Sequence, residues 1–499
     1  MAAGRRAVNR LSRAALAQAD VGPAVLLPPR SAAPRVGVLH LGLGAFHRAH
    51  QAVLTEDAMA VAGQDTWGIC GVTQRSAAVV EQLRPQDNLY AVLQRGSEGD
   101  SLRVVGSVAE TIFGRDEPEL LQRRFADPHV EVITLTVTEK GYRRDGAGRL
   151  DLADPLVQAD LAGSAAGTAV GQLVRGLQER SRACAAPVTV LSCDNLTGNG
   201  AALARLVEDF CTALPSVEGE PLGEWVRANV RFPSSMVDRI VPATTAEDRA
   251  EAQDLLGLED RGLVVAEQFL QWVIEDDFAA GRPPWELAGA HLTDDVAPYE
   301  EMKLRILNGT HSMLAYLGAL AGHDTIAEAV RDPQLATSAG CLINDDVIPT
   351  LRAPASTDLT AYGRQVLERF ANPALRHRTV QVAMDGSQKL PLRLLGTIRD
   401  RLRAGQTPEW ACLAVAGWMT YVAAQHDRHG RPLPLDDPMA RTLRDAVGGR
   451  VHAAGVVDGL LAVPEVFDPE LAGSRLLRDT LVAHVGELMS SVEEPSGTR

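Results

Sequence analysis

Lysine is nearly absent from this 499-residue chain: of its 49 basic residues only Lys140, Lys303 and Lys389 are lysines, and the other 46 are arginines. A guanidinium is effectively never deprotonated, whereas a desolvated ammonium can lose its proton. Where arginine serves for every fixed positive charge, the three lysines become candidates for work arginine cannot do. Basic charge is short overall. A net charge of −15 excludes the basic footprint that nucleic acid or an anionic membrane surface requires. The six cysteines, Cys70, Cys184, Cys193, Cys211, Cys341 and Cys412, form no CxxC pair. They read as reduced core thiols of a cytoplasmic protein. No apolar run approaches a membrane span. The Arg-rich opening MAAGRRAVNRLSRAALAQAD lacks the apolar block of a secretory signal. It reads as a lead-in, and the tail SSVEEPSGTR as frayed.

The length favours two domains. From Arg35 onward the pattern is α/β. VGVLHLGLG (36–44) is a short apolar strand running into a glycine turn. The following stretch has helical spacing, with Ala52, Val53, Ala58 and Val61 on one side. WGICGV (67–72), VEVITLTVTEKGY (130–142) and VTVLSCDN (188–195) read as further strands. Strands separated by helices imply a parallel sheet, whose site lies beyond the carboxyl ends of the strands. Beyond about residue 290 helices dominate: roughly 299–320, 324–331, 359–371, 391–404, 408–425 and 437–447, with little β structure. The expected layout is an extension over 1–34, a Rossmann-type dinucleotide-binding domain over 35–295 and a mostly α-helical catalytic domain over 296–499. WVIEDDF (272–278) and GRPPWE (281–286) read as a surface-proximal joint.

Gly42-x-Gly44-x-x-His47 follows a strand and opens a helix. Glycines there allow a tight turn and close backbone approach to a pyrophosphate, so Gly42, Gly44, Ala45, Phe46 and His47 are the candidate cofactor-binding residues. His47 and His50 do not sit in an HExxH pattern, and no metal is expected. The segment YEEMKLRILNGTHSMLAYLG (299–318) is apolar all round, as in a buried helix, yet it carries Lys303, Asn308 and His311. On a regular wheel these three spread over less than a half-turn. Oxidation of an alcohol carbon needs a base for the hydroxyl proton and a donor for the developing oxyanion. A buried lysine, its pKa lowered toward neutrality, suits the first; a carboxamide suits the second. Asn195 is a second possible donor, and Glu139 can carry protons to water.

GLGAFHRAHQA, TVTEKGY, SCDNLTGNG, FPSSMVDRIVP, WVIEDDF, YEEMKLRILNGTHSMLAYLG and RHRTVQVAMDGSQKLPLR run in order through most of the chain, from about residue 35 to 393. Together they resemble the polyol-specific long-chain dehydrogenases, the family of mannitol 2-dehydrogenases and fructuronate reductases. The resemblance implies a metal-independent enzyme, with Lys303 as catalytic base, Asn195 and Asn308 as oxyanion donors and Glu139 as proton relay. It implies substrate contacts at Asp238, His311 and Lys389, with Glu300 as a carboxylate near the lysine. It implies NAD as cofactor, a small polyol or sugar acid as substrate, and a monomer. Arg75, at a strand end without the acid that repels a 2′-phosphate, keeps NADP open. Mannitol dehydrogenases of the family can carry Arg in the substrate pocket where this chain has Gln381. The motif around Lys389 is closer to fructuronate reductases, and Arg305, Arg376, Arg378 or Lys389 are candidates to hold a uronate carboxylate. The expected reaction is therefore D-mannonate to D-fructuronate, with D-mannitol to D-fructose as the alternative and a non-catalytic dinucleotide-binding protein as the reading from another class.

Overall fold

The computed structural model describes residues 9–96, 99–163, 167–355, 357–449 and 452–493. Residues 1–8 of the lead-in and 494–499 of the tail lie outside the described residues. The chain divides into two compact units, the first ending at Ala297 and the second starting at Pro298.

The first unit is built on a six-stranded sheet of β1 (Val36–Leu41), β2 (Gly68–Thr73), β3 (Val108–Phe113), β4 (Val132–Leu135), β5 (Val188–Ser192) and β6 (Val230–Arg231). The spatial order is β3-β2-β1-β4-β5-β6, and every pairing is parallel. This is the order of a dinucleotide-binding Rossmann sheet, whose topological switch falls between β1 and β4. All residues of β1, β2, β4 and β5 are buried. That explains why these strands read as continuous apolar runs instead of alternating ones. The helix after β1 is interrupted at His50, giving Ala45–Ala49 and Gln51–Ala62. Ala52, Val53 and Ala58 are buried, but Val61 is 64% exposed. It lies beside the closing turn at Gly63.

Two smaller sheets complete the unit. One orders 25–26, 101–105, 90–95 and 264–267; the other orders 235–238, 271–275 and 291–293. Both escaped the sequence reading, and they correct it twice. Residues 9–34 are not a separate extension: Leu11, Leu16 and Val25 are buried in a core shared with Leu93, Val104 and Val265. WVIEDDF and GRPPWE are not a surface joint. Gln271–Glu275 is a strand, and Trp272 and Trp285 are fully buried in ring contact at 4.6 Å.

In the second unit every regular element among the described residues is a helix. The expected helices occur, and Pro333–Cys341, Ala453–Leu461 and Arg475–Glu493 are added. The last of these makes 490–493 helical where fraying was expected. Three segments wind as π-helix: Lys303–Asn308, Leu342–Val347 and Pro391–Leu395. All six cysteines are free thiols.

Candidate active site

At the switch point the loop after β1 touches the loop after β4. Gly42 has φ +102°, and a Cβ there would overlap the Thr136 carbonyl oxygen. Thr136 Oγ1 donates to the Gly42 carbonyl (2.8 Å). Gly44 differs. It stands at the N-cap of Ala45–Ala49 with ordinary φ −96°, and the nearest atom to an added Cβ is the Gly42 carbonyl oxygen at 3.7 Å. Gly42 is bare because the chain crowds it, and Gly44 leaves open space beside a helix start. Those are the two requirements of a pyrophosphate-binding turn, so the residues present fit a dinucleotide.

His47 does not line that open space. It is 1% exposed and stacks on His40 at 3.4 Å. Both of its ring nitrogens are buried. His40 is hydrogen-bonded to Thr134 Oγ1 (2.8 Å) and Thr136 Oγ1 (3.0 Å). Burial pushes the His40 imidazole down to about 3, and burial, followed by the nearby His40, His50 and Arg48, pushes His47 well below its usual value. Both rings are therefore neutral structural groups under the turn. Arg48 is also buried, donating to the Gly44 carbonyl (3.3 Å) and to that of Gly262, with its guanidinium over the Tyr90 ring. Ala45 is exposed, Phe46 is half-buried against His50 (5.0 Å), and Arg75 is exposed just past the end of β2.

The loop after β4 is shaped by Asp194. Its carboxylate accepts from the backbone N–H of Val137 (3.0 Å) and Thr138 (2.9 Å) and from the Tyr142 hydroxyl (2.7 Å). Burial raises it to about 6 against the pull of those donors. This clamp holds Thr138 at φ +66° and leaves Glu139 exposed at the head of a short 3-10 turn. Asn199 fastens the next loop: its Nδ2 donates to the Asp194 and Ser235 carbonyls, and its Oδ1 accepts from Ser235 N–H. Asn195 lies between these anchors with its side chain exposed, and Asp238 ends its strand 4% exposed. Asp194 and Asn199 stand inside the motif SCDNLTGNG; their positioning role is visible only in the structure.

In the second unit Lys303 is 7% exposed and opens a π-helical segment that closes at Asn308. At about 100° per residue, an α-helix sets positions five apart roughly 140° from each other. One extra residue wound into the turn takes out about 100° and leaves roughly 40°. The π-segment thus brings the amine and the carboxamide onto one face more closely than the regular wheel allowed. Gly309 permits the π-segment Pro391–Leu395 to approach: a Cβ there would stand 3.0 Å from the Arg393 carbonyl. His311 is 8% exposed, stacked on Phe370 (4.7 Å) and edge-on to His377 (4.9 Å). Lys389 donates to the Val382 carbonyl (3.2 Å), and Glu300 is half-buried on the turn before Lys303.

Arg305 is engaged elsewhere. Its guanidinium bonds Asp400 (2.6 Å), Glu301 (2.8 Å) and Thr350 (2.9 Å), which makes it a structural tie and removes it from the substrate set. Arg376 and Arg378 are exposed. The sequence reading passed over His377, Arg369 and Arg393. Two of them stand inside the quoted stretch RHRTVQVAMDGSQKLPLR, where the arginines beside His377 took the attention.

A parallel sheet with a bare glycine turn at its switch point in one unit, and a buried lysine on a helix of the other, are the marks of a dinucleotide-type oxidoreductase. Comparison with known proteins places it further. The mannitol dehydrogenase Rossmann domain matches residues 36–287 and the mannitol dehydrogenase C-terminal domain matches 295–489; the chain belongs to the mannitol dehydrogenase family. It is 42% identical to the D-mannonate oxidoreductase of Escherichia coli K12 over 440 residues, 87% of this chain and 89% of that protein. It is 33% identical to a mannitol 2-dehydrogenase of Aspergillus terreus over 465 residues, 91% of each. Among solved structures it resembles the Pseudomonas fluorescens mannitol 2-dehydrogenase, determined as a ternary complex with NAD and D-mannitol. That match has a TM-score of 0.85 and 34% identity, and covers 97% of this chain and 99% of the other.

Proposed function

We propose that this chain is an NAD-dependent, metal-independent oxidoreductase interconverting D-mannonate and D-fructuronate. The observation that carries the reading is the buried Lys303 amine sharing a π-helical face with the Asn308 carboxamide. Gly42, Gly44 and the helix start after them would hold the dinucleotide, whose nicotinamide supplies the electron-pair acceptor when bound. Lys303 Nζ takes the substrate hydroxyl proton. The carboxamides of Asn308 and Asn195 donate to the oxygen as charge develops on it, and Glu139 passes the proton to water. The acid is preferred to the alcohol because D-mannonate oxidoreductase is among the closely similar relatives and because Arg393, Lys389 and Arg369 are near enough to bear on the buried His311 ring. The likeness to the D-mannitol-bound enzyme supports D-mannitol to D-fructose as the second reading.

NADH formation is measured with D-mannonate and D-mannitol, with and without EDTA. Turnover of D-mannonate that survives EDTA is expected; turnover of D-mannitol alone discards the first reading. Lys303→Ala is expected to lower kcat by about 10²–10⁴-fold with NADH affinity nearly unchanged. Loss of NADH binding instead would make Lys303 structural.

A further inference from the structure

The glycine turn after β1 is pinned to the end of β2: the N–H groups of Gly42 and Leu43 both donate to the Val72 carbonyl (2.9 and 3.0 Å). In a sheet of this order the residues that end β2 meet the adenosine ribose. An acid there holds the 2′-hydroxyl, whereas an arginine accommodates a 2′-phosphate. Here the stretch from Thr73 to Val80, TQRSAAVV, contains no acid. Gln74 is engaged: its amide exchanges two hydrogen bonds with that of Gln172. The pair lies over Gly114, where a Cβ would stand 3.0 Å from Gln74 Oε1. Ser76 Oγ is engaged as well, accepting from the Ala78 N–H (3.1 Å). Arg75, between them, is exposed and makes no hydrogen bond or ion pair among the described residues. The neighbouring strand brings a second arginine. Thr73 of β2 pairs with Phe113 of β3, and Gly114 N–H donates to the Thr73 carbonyl (2.9 Å). Arg115 therefore stands two residues past its strand end, as Arg75 does, on the adjoining loop; neighbouring strands run about 4.8 Å apart. It too is exposed, with no hydrogen bond or ion pair among the described residues. Of the acids that follow it, Asp116 is exposed, and Glu117 is held by Arg84 (2.6 Å) and the Phe113 N–H (3.0 Å).

Resting on the dinucleotide reading of the glycine turn, we propose that Arg75 and Arg115 form a subsite for the 2′-phosphate of NADP(H), so that this chain takes NADP(H) as well as NAD(H). A guanidinium gives charge-assisted, bidentate hydrogen bonds to phosphate oxygens, and it keeps its charge at any working pH. Rejecting a 2′-phosphate requires a repulsive element, and the end of β2 supplies none. NAD(H) remains a ligand, because the glycine turn answers its pyrophosphate and neither arginine is needed for that. The choice between the two coenzymes is thus confined to the loops after β2 and β3, apart from the residues assigned to the chemistry.

The test is fluorescence titration of the full chain with NADPH and with NADH, at low and high salt, for the wild type, Arg75→Asp, Arg75→Lys and Arg115→Ala. The wild type is expected to bind NADPH within about tenfold of NADH, with the NADPH affinity falling more steeply as salt is raised. Arg115→Ala should lower the NADPH-to-NADH affinity ratio by about tenfold, the usual worth of a hydrogen bond to a charged group. Arg75→Asp exchanges a cation for an acid and should lower the ratio by at least about 100-fold. Arg75→Lys keeps a cation and should retain most of the ratio. Each ratio is read in a protein that still binds NADH, so a folding defect does not imitate the effect. NADH binding by the wild type with NADPH more than about 100-fold weaker, or a ratio unmoved by both Arg75→Asp and Arg115→Ala, overturns the subsite and leaves the dinucleotide reading standing. Binding of neither coenzyme by the wild type overturns the dinucleotide reading and the subsite with it.

Discussion

The two glycines of the turn after β1 are predicted to fail in different ways when each is replaced by alanine. At Gly42 the backbone has φ +102° and an added methyl overlaps the Thr136 carbonyl oxygen. The backbone term costs about 1–3 kcal/mol, and the overlap cannot be relieved by a side-chain rotation because the obstacle is main chain. A total of about 2–4 kcal/mol is reasonable, and at about 2–4 °C per kcal/mol for a unit of this size the Tm should fall by roughly 5–10 °C. At Gly44 the backbone angles suit any residue, and the nearest obstacle to a methyl is 3.7 Å away. The protein loses only the preference of an N-cap for glycine over alanine, under about 1 kcal/mol. If the open space beside Gly44 takes a pyrophosphate, that methyl stands in its place, and NADH affinity should weaken at least about tenfold, worth about 1.4 kcal/mol. Thermal unfolding and a fluorescence titration with NADH, run on both variants, separate the two roles. A Gly44→Ala protein that binds NADH as the wild type does would refute the assignment of the turn.

Arg305→Met should lower thermal stability, because Asp400 and Glu301 lose their shared cation, while leaving KM for either substrate close to wild type; a large rise in KM with unchanged Tm would return Arg305 to the substrate set. Stability should also fall as the solution is acidified from pH 7 to 5. His40 and His47 have folded pKa values lowered by burial, to about 3 for His40. Their contribution is therefore complete above the unfolded value near 6.5 and is lost as pH drops toward the folded one, at up to about 1.4 kcal/mol per pH unit for each. The buried His311 and His377 add to this loss, while Asp194, raised to about 6, and the buried Glu56, Asp260 and Asp346, also raised by burial, work in the opposite direction over part of the range. A Tm that is flat or rises between pH 7 and 5 would contradict the burial of the two imidazoles as neutral groups.

The strands that were legible in the sequence, β1, β2, β4 and β5, are those buried on both faces, where apolar runs leave no ambiguity. The missed ones, such as 90–95 and 264–267, belong to small sheets whose pairing partners lie far away in sequence. Long-range pairing leaves little local trace. Trp272 looked superficial because the acids after it dominate the window, although the strand itself is interior. Lys303, Asn308 and His311 were legible because polar groups stand out on an otherwise apolar helix. The winding between Lys303 and Asn308 was not: a π-segment has no reliable composition, and only backbone geometry reveals it. Arg305 misled for a related reason. Its charge was visible in the sequence, but the Asp400 that neutralises it is 95 positions away.

A helix with a surplus residue wound between Lys303 and Asn308 has two phases, one on each side of a seam. The apolar residues that seat Tyr299 and Met302 keep one angular register, and those from Met313 to Leu320 keep another. Any transplanted segment of equal length but regular winding would satisfy one register and rotate the other away from its packing partners. The part of the chain that brings the Lys303 amine and the Asn308 carboxamide to one face is therefore also intolerant of being straightened.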